Sequence, residues 1–500
     1  MSIVKKYLNF INGKWTPPTT EEYYPVKNPY NQEVLATAPL STEKDVDTAV
    51  QAAKKAFESD VWSKKTPAER ALCLLKLADL VEQHAERLAK LEAQDVGKTL
   101  KYAQDSDLPF IIDNLRFFAG AARNLEGKSA SDYSGMGMSF IRREPIGVVA
   151  AIVPWNYPLY IAVWKLAPAL AAGNCIVIKP ASITPLTLLE FADLTLQAGI
   201  PAGVFNVVVG SGNVVGDALM KHPDVDMITF TGDTATGKKI LHESGSVKHF
   251  ELELGGKAPM IVLKDADLDM AAQGAVVGGF WNSGQDCTAV TRVYVHNSQF
   301  KLFVQKMVSL TKKIRLGDPL AKHVDMGPLV SAKQLERVES YVALAKKEGG
   351  KIACGGKRPS DKKLAAGYFY EPTLLTGIKQ SSKVSQEEIF GPVIAIYPYT
   401  NYPEALEKAN GVVYGLAASV YGMNIYDCME MAKHLNFGTV WINEHGVLAS
   451  ETPHGGFKQS GFGKDLSMYS FEEYTRIKHI YIDSTRQKQR SWHYTVYGDK

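Results

Sequence analysis

Cysteine is scarce in this chain, which has five cysteines among 500 residues. The five are widely spaced and form no C-x-x-C pair: Cys73, Cys175, Cys287, Cys354 and Cys428. An odd number at such spacing argues against a disulfide framework and against a zinc site of familiar ligand spacing. We therefore expect free thiols in a reducing compartment and no bound metal.

Long apolar runs and an excess of one charge are also missing. The longest apolar stretch, 157–178, contains Lys165 and Asn174 as well as prolines and glycines, so it indicates buried structure and not a membrane span. The first residues have no apolar segment typical of a secretion signal. Lys and Arg number 56 against 53 Asp and Glu, and the short basic stretch 486–490 is too small to indicate nucleic-acid binding. We expect a cytoplasmic globular protein without membrane or nucleic-acid partners.

The length and the pattern of apolar residues predict an α/β protein of at least two domains. From residue 147, short β-branched runs alternate with helical segments, which predicts strands at 147–153, 175–178, 204–209 and 227–230. Such alternation is typical of a parallel, doubly wound sheet, whose ligands bind beyond the carboxyl ends of the strands. A second α/β set begins with a strand at 259–263 and continues to about residue 463.

Local signals predict several further elements. Thr66, Pro67 and Glu69 form a capping box before a helix whose apolar residues recur at positions 72, 75, 78 and 81. A second helix is predicted at 184–198, with Thr184 as its N-cap and Gly199 at its exit. The extended segments 129–143 and 477–482 lack helical periodicity, and we expect them to pair in an arm.

Cys287 is the candidate nucleophile. It lies in the segment NSGQDC, where Gly284 allows a tight turn and a loop setting favours an accessible thiol. A thiolate adds to an aldehyde carbonyl to give a thiohemiacetal, and loss of hydride then leaves a thioester that water hydrolyses. The alternative for a single cysteine is an inert buried thiol.

Two polar residues at predicted strand ends complete a candidate catalytic set. Glu253 ends an alternating strand before a Gly-Gly turn, where it could accept a proton from the thiol or from water. Asn156 directly follows a buried strand, and its amide could donate to a developing alkoxide. The alternatives are that Glu251 and Glu253 both face solvent and that Asn156 is a turn residue.

Two glycine-rich turns are candidates for holding phosphate. The first, 210–216, contains Gly212 and Gly216 but has one residue too many for G-x-G-x-x-G. The second, 230–237, leads from a strand into a helix, where backbone N–H groups can meet a pyrophosphate. Asp233 in this second turn is equally consistent with an N-cap, and its charge would oppose a phosphate.

Taken together, these segments resemble the aldehyde dehydrogenase superfamily along nearly the whole chain. Seven motifs stand in the order of that family: PWNYP at Pro154, KPASITP at Lys179, FTGDTATG at Phe230, ELGGKAP at Glu253, GQDC at Gly284, EEIFGPV at Glu387 and PHGGFKQSGFGKD at Pro453. The resemblance implies that Cys287 is the nucleophile, Glu253 the general base and Asn156 the oxyanion donor. Lys165 and Asp465 match a proton-relay pair of some members.

The resemblance also implies an architecture of three parts. These are an NAD(P)-binding, Rossmann-like domain at 1–126 and 146–254, a catalytic domain at 255–463, and a β-hairpin oligomerisation arm with the tail at 127–145 and 464–500. Such arms join subunits into dimers or tetramers. The resemblance implies that Lys179 holds the adenosine ribose, Glu388 the nicotinamide ribose, and that Phe390 packs against the nicotinamide side. All implied cofactor-binding residues are Val153, Pro154, Trp155, Asn156, Lys179, Ser182, Gly212, Gly216, Phe230, Thr231, Gly232, Asp233, Thr236, Glu253, Leu254, Gly255, Gln334, Glu388 and Phe390.

The choice between NAD and NADP stays open at this stage. NAD-preferring members often carry Glu where this chain has Ser182, and that carboxylate would repel a 2′-phosphate. Ser182 removes the repulsion, and Lys179 could pair with the phosphate. Asp233 stands in place of the usual Ser of the phosphate turn, which weakens the argument for either cofactor.

The substrate is expected to be an aminoaldehyde such as 4-aminobutanal. The segments LRFFAGAAR at 115–123, WKLAPALAAGN at 164–174 and GQDCTA at 284–289 are most similar to the 4-aminobutyraldehyde and betaine aldehyde branch. The run 445–456 is more similar to aminobutyraldehyde dehydrogenases than to the betaine enzymes. The candidate substrate residues are aromatic side chains suited to cation–π contact, acidic side chains and one histidine: Tyr157, Trp164, Asp286, Asp107 and His454. Betaine aldehyde, succinic semialdehyde, glyceraldehyde and aliphatic aldehydes remain alternatives, as do a cofactor-independent cysteine esterase and a non-catalytic structural relative.

Overall fold

The computed structural model describes residues 4–128, 130–490 and 492–498. Its strands, in chain order, are β1 Lys5–Lys6, β2 Asn9–Ile11, β3 Lys14–Thr16, β4 Tyr23–Lys27, β5 Val34–Pro39, β6 Gly137–Pro145, β7 Val148–Ile152, β8 Cys175–Lys179, β9 Phe205–Val207, β10 Met227–Thr231, β11 His249–Glu253, β12 Ala258–Val262, β13 Val290–His296, β14 Lys351–Cys354, β15 Thr373–Thr376, β16 Val393–Tyr399, β17 Tyr414–Gly415, β18 Ala417–Tyr421, β19 Thr439–Ile442, β20 Phe457–Lys458, β21 Gly461–Phe462 and β22 Thr475–Asp483.

The α-helices of the described residues cover the sheets and link their strands. In chain order they are α1 Glu43–Glu58, α2 Pro67–Gln83, α3 Ala85–Val96, α4 Leu100–Tyr102, α5 Leu108–Ala122, α6 Pro158–Ala172, α7 Leu186–Gln197, α8 Asp217–Lys221, α9 Thr234–Glu243, α10 Leu268–Phe280, α11 Phe300–Thr311, α12 Ala332–Lys347, α13 Lys383–Gln386, α14 Tyr402–Asn410, α15 Ile425–His434 and α16 Ser467–Glu473. Wider π-helical turns lie at Ala103–Asp107 and Gly212–Gly216, next to α5 and α8.

The start of α2 confirms the predicted capping box, but the predicted apolar face is wrong in part. The Thr66 hydroxyl accepts a hydrogen bond from the Glu69 N–H, and the Glu69 carboxylate accepts one from the Thr66 N–H. Leu72 and Leu75 are exposed, whereas Leu74 and the other buried residues of α2 face α5 and α6. Helical spacing alone cannot say which of two overlapping apolar stripes meets the neighbouring helices.

The predicted N-cap of the helix after β8 is also wrong. This helix, α7, begins at Leu186, and the Thr184 hydroxyl lies 3.4 Å from the carbonyl oxygen of Trp155 instead of capping it. The Leu186 N–H donates to Asp95 Oδ2 at 2.9 Å, so a carboxylate from α3 caps the helix. Gly199 follows the helix with a φ of +89°, as expected for its exit.

An eight-stranded sheet forms the first unit and confirms the predicted doubly wound, parallel arrangement. Its strand order is β21-β11-β10-β7-β8-β9-β2-β3, and the five strands from β11 to β9 are parallel. In register, Ile152 lies beside Lys179 and Thr231 lies beside Glu253. These four residues end their strands at the same edge of the sheet, and the polar ones are three of the predicted site residues.

A seven-stranded sheet forms the second unit, in the order β14-β15-β16-β13-β12-β18-β19. All of its neighbouring strands are parallel except β14 and β15. The predicted boundary between residues 254 and 255 falls between β11 and β12, which belong to different sheets. One segment of the predicted catalytic domain behaves differently, because β21 pairs with β11 of the first sheet and thereby brings Asp465 towards it.

The predicted arm is a long antiparallel pair of β6 and β22, in which Thr475 lies opposite Pro145 and Asp483 opposite Gly137. The pairing predicted between 129–143 and 477–482 is therefore confirmed, although β6 begins later than expected and Ser129 lies outside the described residues. Two smaller sheets, β1-β5-β4 and β17-β20, complete the strands. None of the helices in the described residues is both long and apolar enough to span a membrane.

Candidate active site

The loop that carries Cys287 leaves α10 through a sharply strained turn. Asn282, Ser283 and Gly284 follow one another with φ values of +48°, +59° and +70°. A Cβ on Gly284 would lie 2.4 Å from the carbonyl oxygen of Gly391, so the close approach of the two chains requires glycine. Three successive left-handed residues are costly, and such strain is typical of functional loops. The turn ends with Cys287 at the foot of β13.

The Cys287 thiol is partly exposed, but its surroundings disfavour its ionisation. Burial raises the pKa of this thiol well above its ordinary value, and the carboxylates of Asp286, Glu253 and Glu388 raise it further. The thiol is therefore protonated at rest, so that a base is needed to form the nucleophile. Gly256 fixes the other side of the loop, because a Cβ there would lie 2.1 Å from the Cys287 carbonyl oxygen.

Glu253, the predicted base, lies at the end of β11 and does not face solvent. It is 3% exposed, and neither of its carboxylate oxygens has a hydrogen-bond partner within the described residues. Its nearest cationic candidate is His454, with Nε2 at 4.0 Å from Glu253 Oε2. Burial, with Asp465 and Glu251, raises the pKa of Glu253 well above its ordinary range. A carboxylate of raised pKa suits proton transfer near neutral pH.

Asn156 lies against the strained turn that precedes the nucleophile. Its Nδ2 donates to the main-chain carbonyl oxygen of Gln285 at 3.0 Å, and the main-chain carbonyl oxygen of Asn156 accepts from Asn282 Nδ2 at 3.0 Å. One N–H of the Asn156 side chain has no partner in these bonds and is free to donate to an oxyanion. The side chain is buried, so the placement is fixed by the fold.

Lys165 and Asp465, the predicted relay pair, are in direct contact beneath this site. Lys165 Nζ donates to Asp465 Oδ2 at 2.7 Å and to both carboxylate oxygens of Glu251 at 2.8 Å, and no part of these side chains is exposed. Burial would lower the pKa of Lys165, but Asp465 and Glu251 outweigh it and raise that pKa. Burial and Glu251 raise the pKa of Asp465 to about 7.

The same acids form the one group within the described residues that could hold a metal ion. Oxygens of Glu251, Glu253 and Asp465 lie within 4.8 Å of one another. The Lys165 ammonium already binds two of these three carboxylates, so we assign the group to an ammonium and not to a metal.

Lys179 and Ser182 lie where the first sheet ends and the predicted adenosine side of the cofactor begins. Lys179 is buried, its Nζ donates to the Pro180 carbonyl oxygen at 3.0 Å, and burial lowers its pKa to about 8. Gly216 leaves room beside it, since a Cβ there would lie 3.8 Å from Lys179 Cδ. Ser182 borders a cavity of about 330 Å³ that Ser211 and Lys27 also line.

The turn after β10 confirms the alternative in which Asp233 is an N-cap. Asp233 Oδ1 accepts from the Thr236 N–H at 2.9 Å, and Oδ2 accepts from the Thr236 hydroxyl at 2.6 Å. This cap occupies part of the helix terminus at which a pyrophosphate could bind. Thr231 Oγ1, by contrast, is buried without a hydrogen-bond partner, and Gly232 packs on the Phe230 ring.

The predicted nicotinamide side is built from both units. Trp155 and Phe390 meet edge to face with ring centroids 5.2 Å apart, and Phe390 has a φ of +60°. Gln334 Nε2 holds the strained segment by donating to the carbonyl oxygens of Ile389 at 3.1 Å and Phe390 at 2.6 Å. Glu388 Oε1 accepts from the Gly256 N–H at 2.7 Å, and burial raises the pKa of Glu388 to about 7.

The remaining predicted cofactor residues border the same groove. Val153 donates its N–H to the Lys179 carbonyl oxygen, and Leu254 packs so closely on α9 that a Cβ on Gly237 would lie 2.5 Å from it. A Cβ on Gly255 would lie 2.7 Å from Glu388 Oε2. An unpartnered buried hydroxyl, a buried amine and glycines at the close approaches together fit a bound dinucleotide.

A row of aromatic rings ends at His454, beside Glu253. Tyr157 and Tyr160 have ring centroids 5.6 Å apart, Tyr160 and Trp164 5.0 Å, and Trp164 and His454 5.2 Å. Burial lowers the pKa of His454 to about 4, so this imidazole is neutral and can accept as well as donate a hydrogen bond. His454 Nδ1 and Trp164 Nε1 are buried without partners within the described residues.

Asp286 and Asp107, the two predicted acidic substrate residues, have different surroundings. Asp286 is partly exposed and accepts from the Tyr157 hydroxyl at 2.7 Å. Asp107 is 2% exposed and accepts from Lys98 Nζ at 2.6 Å. The charge of Asp107 is therefore paired with Lys98 inside the fold, and a direct contact of Asp107 with a substrate stays a prediction.

Three residues close to the predicted site were not identified from the sequence: Glu251, Tyr160 and Lys98. Glu251 was named only in the alternative in which it and Glu253 face solvent, although the shared strand face of the two residues was a usable signal. Tyr160 lies one helical turn after Asn156, at an aromatic position that helical spacing could have indicated. Lys98 gave no signal, because its partners become neighbours only through the fold.

The comparisons with known proteins agree with this geometry. The sequence profile of the aldehyde dehydrogenase family matches residues 15–480. A betaine aldehyde dehydrogenase of Bacillus subtilis (strain 168) is 43% identical over 473 residues, which are 94% of this chain and 96% of that protein. Aldehyde dehydrogenase 1A1 of Homo sapiens is 40% identical over 476 residues, which are 95% of this chain and 94% of that protein.

Solved structures give the same result. The betaine aldehyde dehydrogenase of Staphylococcus aureus in complex with NAD+ has a TM-score of 0.95 at 40% identity and covers 97% of this chain and 96% of its own. The NAD+ complex of an aldehyde dehydrogenase from Bacillus cereus has a TM-score of 0.94 at 42% identity and covers 96% of this chain and 97% of its own.

The chain therefore belongs to the aldehyde dehydrogenase family. It is an enzyme that oxidises aldehydes with a nicotinamide dinucleotide, and the predicted superfamily, fold, enzyme class and cofactor class are confirmed.

Proposed function

We propose that this enzyme oxidises a small cationic aldehyde, an aminoaldehyde such as 4-aminobutanal, to its carboxylic acid with NAD or NADP. One observation carries the choice of substrate: an unpaired, partly exposed carboxylate, Asp286, directly precedes the nucleophile and is hydrogen bonded to the aromatic wall. A carboxylate beside aromatic rings is a typical binding site for an ammonium group.

The geometry supports a mechanism through Cys287. Glu253 accepts the thiol proton, the sulfur adds to the aldehyde carbon, and the free N–H of Asn156 donates to the oxyanion. Lys179, Glu388 and Phe390 would hold a nicotinamide dinucleotide, which would supply the acceptor for the hydride of the thiohemiacetal carbon, and loss of that hydride leaves a thioester on Cys287. Glu253 then takes a proton from water as the water attacks the thioester, which releases the acid and the thiol. Lys165, Glu251 and Asp465 offer an internal route by which Glu253 loses its proton.

The choice between NAD and NADP depends on the surroundings of Ser182. A hydroxyl at this position does not repel a 2′-phosphate, and the buried amine of Lys179 lies close by in sequence and space. We propose that both cofactors are used and that NADP is at least as good as NAD. The solved relatives named above contain NAD+, which does not decide the preference of this chain.

Betaine aldehyde is the second candidate, because relatives at 40–43% identity bear the name betaine aldehyde dehydrogenase. Its trimethylammonium group has no N–H to donate, whereas His454 and Asp286 both present hydrogen-bond acceptors. The geometry therefore favours a primary ammonium. Succinic semialdehyde is disfavoured, since its carboxylate would approach Asp286 as a like charge, and neutral glyceraldehyde and aliphatic aldehydes would leave Asp286 unpaired.

We further propose that the protein acts in the cytoplasm as a homo-oligomer. The arm formed by β6 and β22 exposes Ile477, Tyr481 and Ile482, each at least 45% accessible, which suits contact with another subunit. The five free cysteines suit a reducing compartment.

A steady-state comparison of aldehydes with each cofactor tests the proposal. We expect the highest kcat/KM with 4-aminobutanal, a lower value with betaine aldehyde, and much lower values with succinic semialdehyde, glyceraldehyde and pentanal. Pentanal is the matched control, because it has nearly the size of 4-aminobutanal without the charge. A preference for pentanal or succinic semialdehyde would overturn the substrate class. Ester hydrolysis without any cofactor reduction would favour the esterase alternative.

A further inference from the structure

Both carboxylate oxygens of Asp286 accept hydrogen bonds, but Asp286 has no cationic partner within the described residues. Its Oδ1 accepts from both the N–H and the hydroxyl of Thr288 at 2.7 Å, and its Oδ2 accepts from the Tyr157 hydroxyl at 2.7 Å. These three donors stabilise the ionised carboxylate and hold it in one orientation. None of the ion pairs among residues 4–128, 130–490 and 492–498 includes Asp286. A fixed negative charge is therefore left uncompensated beside the nucleophile.

The ammonium of Lys98, which lies over the Tyr157 ring, is already paired with other carboxylates. Lys98 Nζ lies 4.2 Å from the centroid of the Tyr157 ring, but it is bound to Asp107 at 2.6 Å and lies 3.5 Å from Glu92. Lys98 is buried and cannot move to Asp286 without breaking these contacts. Tyr157 and Asp286 thus offer an aromatic ring and a carboxylate to a cation, and no side chain of the described residues pairs with Asp286 as that cation.

The uncompensated charge acts on the thiol that must react. After burial, Asp286 is the largest contribution that raises the pKa of Cys287, ahead of Glu253 and Glu388. A cation placed against Asp286 cancels this contribution and favours the thiolate. Asp286 also acts on the other ionisable groups that face it, because its charge raises the pKa of each of them: Tyr157, Tyr160, Asp107, His445 and His454.

From this arrangement we propose that a cationic substrate activates the nucleophile through Asp286. The ammonium of a cationic aldehyde pairs with Asp286, and this pairing makes the Cys287 thiol reactive. The inference depends on the proposed function for the nature of the substrate. The inference adds that selectivity between aldehydes arises in the chemical step as well as in binding. A neutral aldehyde does not pair with Asp286 and so leaves the Cys287 thiol protonated. The free enzyme keeps its thiol protonated and less prone to oxidation.

The test measures the nucleophile without turnover. In the presence of NAD, the rate of alkylation of Cys287 by iodoacetamide is followed against pH. Three samples are compared: one without added ligand, one with n-butylammonium, and one with the matched neutral 1-butanol. Butylammonium carries the charge but no aldehyde. We expect it to lower the pH midpoint of alkylation by about one unit, the usual effect of an opposite charge at close range, whereas butanol leaves the midpoint unchanged. A ligand that only blocks access would slow alkylation without moving the midpoint.

Two variants make the test specific to Asp286. Asp286→Asn keeps the hydrogen-bonding shape but removes the charge, so its midpoint should lie below that of the wild type and should not respond to butylammonium. Asp286→Glu keeps the charge and should retain the response, which a merely structural role would not require. An unmoved wild-type midpoint, a failure of butylammonium to inhibit at all, or a response in Asp286→Asn equal to that of the wild type would each overturn the inference.

The outcome is separable from that of the proposed function. Efficient oxidation of 4-aminobutanal with an unmoved alkylation midpoint would leave the proposed function intact and reject activation by the substrate. A shifted midpoint without oxidation of 4-aminobutanal would support activation through Asp286 and reject 4-aminobutanal as the substrate. It would indicate a different cationic aldehyde.

Discussion

Lys165 and Asp465 are 300 residues apart in sequence and 2.7 Å apart in space, measured from Nζ to Oδ2, and neither side chain is exposed. Lys165 is on α6 of the first unit, whereas Asp465 follows the segment that returns from the second unit through β21. The ion pair therefore ties the two parts of the chain together directly beneath Glu253. Removal of one partner leaves charges buried without compensation.

We expect Lys165→Met to destabilise the protein strongly, by about 3–5 kcal/mol, because Glu251 and Asp465 would both lose the ammonium that neutralises them. Denaturant unfolding of the wild type and the variant measures this difference. The matched control is Lys64→Met, which breaks an exposed ion pair with Asp60 one helical turn away and should leave the unfolding midpoint unchanged.

The triple variant Lys165→Met, Glu251→Gln, Asp465→Asn separates charge from packing. It removes the buried negative charges together with the ammonium, so it should recover part of the lost stability. If Lys165→Met unfolds at the same denaturant concentration as Lys64→Met, the buried ion pair is not what holds the two parts together.

Cys287→Ser should lower aldehyde oxidation by at least about a thousandfold, since the hydroxyl is a far weaker nucleophile and has no base strong enough to ionise it. Cofactor reduction with 4-aminobutanal measures the loss, and retained binding of NAD shows that the fold is intact. Cys73→Ser is the control, because Cys73 is also partly exposed but contacts Gly199 far along the chain from the catalytic loop. Comparable activity in the two variants would show that the nucleophile has been misassigned.

Much of this arrangement was predictable because the chemistry is encoded locally. Strand alternation placed Glu253 and Lys179 at strand ends, and parallel strands bring such ends to one edge of a sheet. The motif around Cys287 indicated a tight turn through Gly284. The pairing of the arm followed from two extended segments that lacked any other partner.

What the sequence could not provide were choices decided by distant partners. The ion pair of Asp107 with Lys98 was not foreseen, because nothing in the local sequence pairs these two residues. Thr184 was expected to cap α7 because the true cap, Asp95, is 91 residues away in sequence. In each case the deciding charged or hydrogen-bonding partner is one that the fold brings near.

The pH dependence of cofactor choice should report the buried amine of Lys179. Burial lowers its pKa to about 8, so the ammonium is present below that pH and is lost as the pH rises through it. Its charge matters more for a 2′-phosphate than for a hydroxyl. The ratio of kcat/KM for NADP to that for NAD should therefore fall between pH 7 and pH 9.5, while steps common to both cofactors cancel.

Lys179→Arg provides the control, because a guanidinium stays charged throughout this range. The NADP to NAD ratio of the variant should be flat where that of the wild type falls. A wild-type ratio that does not change with pH, or an equal fall in both proteins, would show that Lys179 is not the group responsible.

Ser182→Glu should shift cofactor preference towards NAD. The new carboxylate would repel a 2′-phosphate and could accept a hydrogen bond from a ribose hydroxyl, so kcat/KM for NADP should drop about tenfold or more while that for NAD is kept. Ser182→Ala is the control, because it removes the hydroxyl without adding charge. An unchanged ratio in Ser182→Glu would mean that cofactor choice is made elsewhere in the groove.

Gly256→Ala tests whether close packing behind the nucleophile is required for catalysis. A Cβ at this position would lie 2.1 Å from the Cys287 carbonyl oxygen, and a backbone atom cannot rotate away as a side chain can. The loop must therefore shift, and a displacement on the order of 1 Å costs about a hundredfold in kcat. We expect that loss in steady-state kinetics, with NAD binding retained.

Gly120→Ala is the matched substitution at a glycine with open surroundings. Gly120 lies on the exposed side of α5, and a Cβ there meets nothing within 4 Å. Alanine should stabilise this helix by about 0.5–1 kcal/mol and leave kcat unchanged. The two variants thus make the same chemical change with opposite expected results. Full activity in Gly256→Ala would contradict the view that this glycine holds Cys287 in its reactive position, because the loop would then tolerate the shift that the added carbon imposes.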